Sequence, residues 1–221
     1  VDWIGRLSTL TQKTVVEAAP NQPKIDTVVA EDAVVSGSIP SPTSQEYTIN
    51  VTTGDGKTYT GTAGADGHFA VETDGAAAGT KVTVSASDVR DGVARTSLSK
   101  STTMKKASSL LEKYSGGAEF SAISDEDKVI TGSVYDGNAT TDARIIVNGK
   151  KDRLTLDASG AFSYKLEGPL SYNDTVTLVV RNSDGSLNDI EQTKVEEALP
   201  DKPTVTTEKI TASTKKIRVV G

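Results

Sequence analysis

The chain repeats its own sequence pattern, and this repetition constrains its fold more than any single motif does. The segment from Lys13 to Pro23 returns in altered form from Thr193 to Pro203, at an offset of 203 − 23 = 180 residues. A shorter motif, Val35-Ser36-Gly37, recurs as Ile130-Thr131-Gly132 and as Val219-Val220-Gly221. Its spacings are 132 − 37 = 95 and 221 − 132 = 89 residues. A unit of roughly 90 residues has the size of a compact β-sandwich.

The repeat spacing also predicts the domain organisation. We expect residues 1–19 to be the closing strands of a preceding copy, because they match the stretch that ends the second copy. One full domain is predicted over residues 21–103 and another over residues 104–199. Residues 201–221 then begin a further copy and contain only its opening strands.

Each full copy shows seven short alternating runs that are bounded by Gly, Asp and Ser, which is the pattern of β-strands joined by turns. The composition predicts an all-β fold of two sandwiches with about seven strands each and partial copies at both ends. A matched turn in the two copies places one aromatic residue just after a glycine, Phe69 in the first and Phe162 in the second. We expect both rings to face the cores.

The junction between the two full copies is longer than its counterpart. Lys100 to Gly132 spans 132 − 100 = 32 positions, whereas Lys13 to Gly37 spans 37 − 13 = 24. The additional residues lie in Lys105–Tyr114, which has the composition of a short helix and is followed by two glycines. We expect this segment to cover an open core edge or the next domain, with peptide binding as the alternative.

Composition excludes several classes of function. A formal net charge of −6 and an isoelectric point near 4.9 disfavour nucleic acid, which requires a clustered basic surface. No apolar run is long enough to span a bilayer, so we expect no membrane insertion. The chain has no cysteine and one histidine, His68, so it cannot build a thiolate metal site or a repeated Ser/His/Asp arrangement. We therefore predict no catalytic residues and no enzymatic activity.

Clusters of carboxylates are the strongest candidates for metal chemistry. They occur just before the Val-x-Gly strands and in the loop before the last strand, where loop oxygens suit Ca²⁺. The corresponding stretch of the third copy, residues 212–216, carries no acid and argues against the idea. Calcium is therefore an open alternative to having no cofactor. Its candidate ligands are Glu31, Asp32, Asp88, Asp91, Asp125, Glu126 and Asp127.

Tyrosines distinguish the second copy from the first. Tyr135, Tyr164 and Tyr172 stand where the first copy has small or aliphatic residues. Aromatic side chains that only one copy carries indicate a ligand-binding surface, so these three are the candidate binding residues.

The order Pro-x-x-Pro, Val-x-Gly, Asp66-Gly67-His68-Phe69 and Ala78-Gly79-Thr80-Lys81 resembles the bacterial immunoglobulin-like domains of Gram-positive surface proteins and wall-anchored adhesins. The resemblance implies tandem immunoglobulin-like sandwiches, an extracellular location at the bacterial cell surface or cell wall, and a role as a stalk or adhesive module. Such domains also contain Lys–Asn isopeptide crosslinks, which we do not expect here. The second copy departs from the pattern by lacking the Ala-Gly-Thr element and the proline linker ahead of it.

Three functions follow as hypotheses. The first is a rigid, non-enzymatic spacer in which neighbouring copies of the same chain are the partners. The second is an adhesive module that binds a glycan or host protein through loops of the second domain. The third is a self-assembling surface subunit in which the incomplete ends exchange strands with neighbouring chains.

Overall fold

The computed structural model describes residues 18–200 and the backbone of residues 204–205 and 219–220. The chain forms two compact units. Of the described residues, unit 1 comprises 18–28 and 34–104, and unit 2 comprises 29–33 and those from 105 onward. Both units are β-sandwiches, which confirms the predicted all-β fold. The predicted closing strands at 1–19 and opening strands at 201–221 fall almost wholly outside the described residues.

Unit 1 consists of a three-stranded sheet and a larger sheet, both antiparallel. The first has the order β1-β2-β5, and the second has the order β4-β3-β6 with β7 and β8 both paired to β6. β7 and β8 are two parts of one edge strand, interrupted at residues 97–99. The strands are β1 (Lys24–Ile25), β2 (Val34–Ser38), β3 (Tyr47–Thr53), β4 (Thr58–Ala63), β5 (His68–Glu72), β6 (Lys81–Arg90), β7 (Val93–Thr96) and β8 (Lys100–Thr103).

Unit 2 repeats this topology with seven strands. Its sheets have the orders β13-β10-β9 and β12-β11-β14-β15, again antiparallel. A further antiparallel pair, β16 (Thr204–Val205) and β17 (Val219–Val220), follows. The seven strands are β9 (Ala118–Phe120), β10 (Val129–Val134), β11 (Asp142–Val147), β12 (Lys150–Arg153), β13 (Ala161–Lys165), β14 (Thr175–Arg181) and β15 (Leu187–Lys194).

The helix predicted in the junction is real but shorter than Lys105–Tyr114. It consists of a 3₁₀ turn over Ala107–Ser109 and a single helical turn, α1, over Leu111–Tyr114. Gly116 follows with a φ of 107°, a conformation that side chains other than glycine rarely adopt. No helix among the described residues has the length and apolar composition needed to cross a membrane.

The glycine of the Val-x-Gly motif lies between a backbone carbonyl of one neighbouring strand and a phenylalanine of the other. Gly37 lies opposite Phe69 on β5, and Gly132 lies opposite Phe162 on β13. A Cβ atom on Gly37 would lie 2.0 Å from the Lys24 carbonyl oxygen and 2.7 Å from the ring, and one on Gly132 would lie 2.3 Å from the Glu119 carbonyl oxygen and 2.6 Å from the ring. Both rings are buried, which confirms the prediction that they face the cores. We call this arrangement the Gly–Phe pair.

The larger sheet of unit 2 is covered on both faces. Its inner face contributes to the core between the sheets, which includes Ile145, Leu178 and Phe162. Its outer face carries a second apolar cluster, and six of the seven β14 residues are buried. This outer cluster consists of Val29, Ala107, Leu110, Ile146, Val179, Leu187 and Ile190, with Leu111 and Tyr114 packed against it.

Candidate functional site

Two of the candidate calcium ligands hold the backbone of a later segment instead. Glu31 Oε2 accepts a hydrogen bond from the Ala107 N–H at 3.0 Å, and Asp125 Oδ1 accepts one from the Ala198 N–H at 2.9 Å. Each carboxylate belongs to the loop before a Gly-bearing strand. Each bonds the chain just after the last strand of its repeat. We call this arrangement the exit clamp.

The same two loops also share a backbone bridge. Val29 pairs in parallel with Lys105, and Ser124 pairs in parallel with Glu196. In both cases the N–H that donates to the clamp comes two positions after the bridged residue, since Ala107 follows Lys105 by two and Ala198 follows Glu196 by two. The acidic clusters therefore recur at equivalent positions because the exit clamp recurs.

Asp32 is fully buried and neutralised by arginine. Its Oδ2 atom accepts hydrogen bonds from Arg181 Nε at 2.8 Å and Nη2 at 2.5 Å, and the Arg181 side chain is fully buried too. Arg144 Nη1 lies 3.7 Å from Oδ1, and Lys151 Nζ donates to the Asp32 carbonyl oxygen at 2.7 Å. This carboxylate is therefore surrounded by cations, which is opposite to the surroundings that a calcium ligand needs.

The remaining candidate calcium ligands lie in turns or at strand ends, and two of them form hydrogen bonds with residues close in sequence. Asp88 is buried and bonds Arg90 Nε at 2.7 Å, while Asp91 adopts a positive φ of 49° in the following turn. Asp127 accepts a hydrogen bond from the Ser124 N–H at 2.6 Å, and Glu126 is exposed. Across residues 18–200 no three His, Asp or Glu side chains are arranged to share a metal ion. Calcium binding stays an open alternative to the predicted lack of a cofactor.

The three candidate tyrosines of unit 2 lie in different places. Tyr135 and Tyr172 are exposed and lie beyond β10 and before β14, respectively. A hydrogen bond with Glu119 raises the pKa of Tyr135. Tyr164 lies on β13 opposite Ile130, and Tyr135 comes five positions after that residue. At roughly 3.3 Å per residue, Tyr135 and Tyr164 are separated along the sheet and form no common aromatic surface.

Tyr164 belongs to a polar cluster that bridges β13 and β12. Its hydroxyl donates to Asp152 Oδ2 at 2.5 Å, and Lys150 Nζ lies 3.1 Å from the same oxygen and 2.8 Å from Glu167. Burial and the bond to Asp152 raise the pKa of Tyr164 to about 12, whereas the same bond lowers the pKa of Asp152. The hydrogen bond to Glu167 raises the pKa of Lys150. At neutral pH the cluster therefore contains a neutral Tyr164 phenol, the Asp152 carboxylate and the Lys150 ammonium group.

This cluster crosses an opening between the two sheets of unit 2, which we call the seam. In unit 1 the equivalent strands, β4 and β5, are in contact, and a Cβ atom on Gly61 would lie 2.6 Å from Val71. In unit 2 the Tyr164–Asp152 hydrogen bond links β13 and β12, and the cavities described below lie beside it. β12 ends at Arg153, although the Leu154 N–H still donates to the Ala143 carbonyl of β11, and the side chains of Leu154 and Leu156 are buried in the core.

Two cavities lie along the seam, one on either side of Tyr164 along β13. A cavity of about 270 Å³ has an apolar floor of Val147, Leu166 and Leu170, and Lys150 and Glu167 stand at its rim. A wider cavity of about 410 Å³ is lined by Thr155, Leu156, Asp157, Ala161, Phe162 and Ser163. The side chains that line the two cavities could make apolar contacts and hydrogen bonds with a small ligand.

Sequence reasoning identified Tyr164 but missed the seam. No local signal marks it, because the opening depends on where β12 ends relative to β13. The exposed histidine, His68, lies on β5 of unit 1 and is remote in sequence from this cluster.

Two solved structures align with most of the chain. One is a biofilm-associated protein, BSP domain, at 20% identity and a TM-score of 0.33, covering 81% of this chain and 30% of that one. Another is a two-domain fibronectin type III segment of chicken tenascin, at 13% identity and a TM-score of 0.31, covering 81% of this chain and 99% of that one. The chain thus spans less than a third of the first of these structures. No curated protein matches it.

A family model places part of the chain more specifically. Residues 19–105 match the model described as bacterial Ig domain. The matched range holds the strands β1 to β8, one Gly–Phe pair and the acidic loop of one exit clamp. Over this range the chain is therefore similar to the bacterial Ig domain family.

Proposed function

We propose that the chain is a non-enzymatic repeat region of a bacterial surface protein and acts as a spacer within an adhesin. The observation that carries this proposal is that the repeated features are structural. Both sandwiches keep the Gly–Phe pair, and the exit clamp occurs twice, at Glu31 and at Asp125. The residues that could bind or react, such as Tyr164 and His68, are not repeated.

A spacer needs stable, soluble modules that can be joined in series, and it does not need a catalytic or ligand-binding site. The acidic net charge of −6 supports solubility at an exposed location. The match of residues 19–105 to the bacterial Ig domain model supports a location outside the cell, at the surface or in the cell wall. Neighbouring copies of the same chain are then its partners.

Small-angle X-ray scattering tests the spacer directly. A compact globule of this length has a radius of gyration of about 17 Å, from the usual scaling with chain length. A spacer requires a clearly larger radius and a monomeric mass at all concentrations. A radius near the compact value would contradict the proposal.

The same samples address two other hypotheses. A mass that increases with concentration would favour self-assembly by strand exchange. Adding millimolar calcium is expected to leave both the radius and the melting temperature unchanged. A rise in melting temperature would instead support calcium binding by the acidic loops.

A binding role for unit 2 is a second candidate, and the seam beside Tyr164 favours it. Its apolar floor and polar rim have the character of a ligand site, although both cavities are small. A glycan array probed with the whole chain tests one class of ligand. Binding that Tyr164→Ala abolishes, and that Tyr172→Ala preserves, would place the ligand at the seam. The absence of signal from every glycan would exclude that class.

A further inference from the structure

The outward face of the larger sheet of unit 1 carries a regular array of hydroxyl groups. The array consists of every second residue of 48–52 on β3, of 58–62 on β4 and of 83–87 on β6. All of these are Ser or Thr except Asn50, and each is exposed or half-buried. The residues between them on β3 and β6, such as Ile49 and Val84, are buried in the core. We call this array the hydroxyl grid.

Strand pairing aligns the grid in three rows that run across the sheet. Asn50 on β3 lies opposite Thr60 on β4 and opposite Ser85 on β6, and the rows on either side are built in the same way. Thr96 on β7 and Ser101 on β8 extend the two outer rows to the edge strand. Neighbouring strands lie about 4.8 Å apart, and alternate residues of one strand lie about 6.7 Å apart. The grid therefore measures roughly 10 Å by 13 Å between its outermost Cα positions.

The composition of the grid limits the partners that it fits. None of its residues is charged or aliphatic, although 24% of the residues of the chain are charged and several ionic side chains would be expected on a surface of average composition. Charged residues flank it instead, with Glu46 before β3 and Lys81 at the start of β6. An ionic partner would find no opposite charge on the grid. A lipid or an apolar protein surface would cover its hydroxyl groups without satisfying them.

Most of the hydroxyl groups of the grid are available to a ligand. Among the residues that the structure describes, Thr83 bonds the Ser101 hydroxyl at 2.9 Å, and the Ser87 hydroxyl donates to the Thr48 carbonyl at 3.4 Å. The other side chains of the grid form no hydrogen bond with a described residue. Each hydroxyl can donate one hydrogen bond and accept two. A partner rich in hydroxyl groups, which also donate and accept, therefore matches this surface best.

The regular spacing of the grid indicates a partner that repeats as well. A polymer of identical units can present the same groups to successive rows. Neighbouring strands of a sheet are rotated by about 20° relative to each other, so the grid is not flat. A rigid plane such as the surface of ice can match only part of a twisted grid, whereas a flexible polymer can follow it.

We propose that the hydroxyl grid of unit 1 binds a neutral polysaccharide. Sugar hydroxyl groups exchange hydrogen bonds with the Ser, Thr and Asn50 side chains, and the threonine methyl groups contact the C–H faces of the sugar rings. Because a single hydrogen bond in water contributes little, several sugar units have to bind together. This surface lies on unit 1, so the proposal is independent of the spacer role and of the seam in unit 2.

The probes are insoluble particles of cellulose, starch and cross-linked dextran, together with carboxymethylated cellulose and dextran. Depletion of the whole chain from solution is measured at about 0.5 M salt, which screens repulsion between the acidic chain and the carboxymethyl groups. At least one neutral polymer is expected to deplete the chain in a saturable way, and its carboxymethylated form is expected to bind at least about tenfold less. No binding to any neutral polymer would overturn the proposal, as would equal binding to the charged forms.

A triple variant locates the site on the grid. Thr52→Val, Thr60→Val and Thr83→Val together remove three hydroxyl groups and keep β-branched side chains that favour strands. Binding is expected to fall at least about tenfold. The matched control changes three strand threonines of unit 2 with the same range of exposure and should bind normally; it combines Thr131→Val, Thr175→Val and Thr193→Val. Binding that survives the grid variant, or that the control also loses, would contradict the assignment.

Ser85→Glu keeps the test decisive if the triple variant aggregates. A carboxylate in the middle row would have to lose its water beneath the sugar, so binding is expected to fall at least about tenfold. Unchanged binding would overturn the proposal. Binding that Tyr164→Ala abolishes while the grid variant retains it would place the polysaccharide at the seam and reject unit 1. Arrest of ice-crystal growth by a chain that binds no polysaccharide would identify ordered water as the partner and also reject the proposal.

Discussion

The outer faces of the two larger sheets show how one sandwich can be used in two ways. In unit 1 this face is hydroxyl-rich and partly or fully exposed, whereas in unit 2 it is buried and carries aliphatic residues together with two arginines. Both inner faces are apolar, as any sandwich requires. The inner face therefore defines the fold, and the outer face is free to differ. On that face unit 1 carries Thr48, Asn50, Thr52, Thr83 and Ser85, and unit 2 carries Arg144, Ile146, Thr177, Val179, Arg181 and Ile190.

The difference coincides with extra chain in the second repeat. Its junction is 32 − 24 = 8 positions longer than the first. The 3₁₀ turn and α1 lie there, and their Ala107 and Leu110 cover the apolar face together with Val29. An apolar outer face and the segment that covers it thus occur together.

Removing the buried charge should give the largest effect. Asp32→Ala leaves the Arg181 guanidinium buried without its carboxylate, so we expect unit 2 to lose about 3–5 kcal/mol. Hydrogen exchange of the β14 amides measures the opening free energy of this unit. Ser85→Ala on the outer face of unit 1 is the matched control and should change its unit by less than about 0.5 kcal/mol. Equal effects at the two positions would show that the outer faces do not differ in energy.

Shortening one side chain of the outer apolar cluster should give a smaller loss of stability. Ile190→Val removes one methylene from a fully buried position, at a cost of about 1 kcal/mol. Denaturant unfolding followed by exchange at β15 is the measurement. Thr83→Val, on the accessible face of unit 1, should be nearly neutral. A neutral result for Ile190→Val would mean that the outer cluster is not tightly packed.

A substitution at the seam should change the free energy of unfolding by a similar amount. Tyr164→Phe removes the hydroxyl that bridges to Asp152, and a single hydrogen bond contributes about 1 kcal/mol. Tyr59→Phe in unit 1, whose β4 and β5 touch directly, should have less effect. The measurement is the free energy of unfolding of each unit. A larger loss in unit 1 would contradict the bridging role of Tyr164.

The smallest effect concerns Asp189, which is buried in unit 2. Burial raises its pKa, and its Oδ2 atom has no hydrogen-bond partner. Because the folded-state pKa is above that of the unfolded chain, the charged form is penalised at neutral pH. This penalty is relieved as pH falls through the folded pKa. Asp189→Asn keeps the bond from the Gly117 N–H and should stabilise unit 2 at pH 7 by up to about 1 kcal/mol.

The test is a pair of unfolding curves at pH 7 and pH 4. The gain from Asp189→Asn should shrink at the lower pH, where the native aspartate is protonated to a greater extent. A gain that grows on acidification would show that the carboxylate is stabilised by its surroundings. Glu126→Gln, at an exposed loop position, serves as the control for a general change in net charge.

Much of the fold could be predicted from the sequence because residues that match between the two copies occupy equivalent positions in the two sandwiches. Phe69 and Phe162 follow equivalent turns, and that alone indicated their burial. The run Val176-Thr177-Leu178-Val179-Val180 lacks clear alternation, which is typical of a strand covered on both faces. This run therefore indicated that the outer face of the larger sheet of unit 2 is buried, although it does not identify the segment that covers that face.

The candidate site was harder to predict because its contacts are distant in sequence. Asp32 meets a cation 149 positions later, at Arg181, and no local pattern pairs them. The acidic clusters suggested metal ligands because composition shows charge but not what faces it. Tyr164 stood out as a difference between copies, yet the opening that surrounds it depends on the path of residues 154–160.

The Gly–Phe pair also bears on how such a repeat can diverge. A side chain at Gly37 or Gly132 would meet the ring and, still closer, a backbone carbonyl oxygen of the strand on the other side. A smaller group in place of the phenylalanine would therefore not make room for it, and substitution of either glycine is excluded both alone and together with a change of the ring. The glycine is thus held by backbone as well as by a side chain, so the motif can persist while the outer faces of the two sandwiches differ.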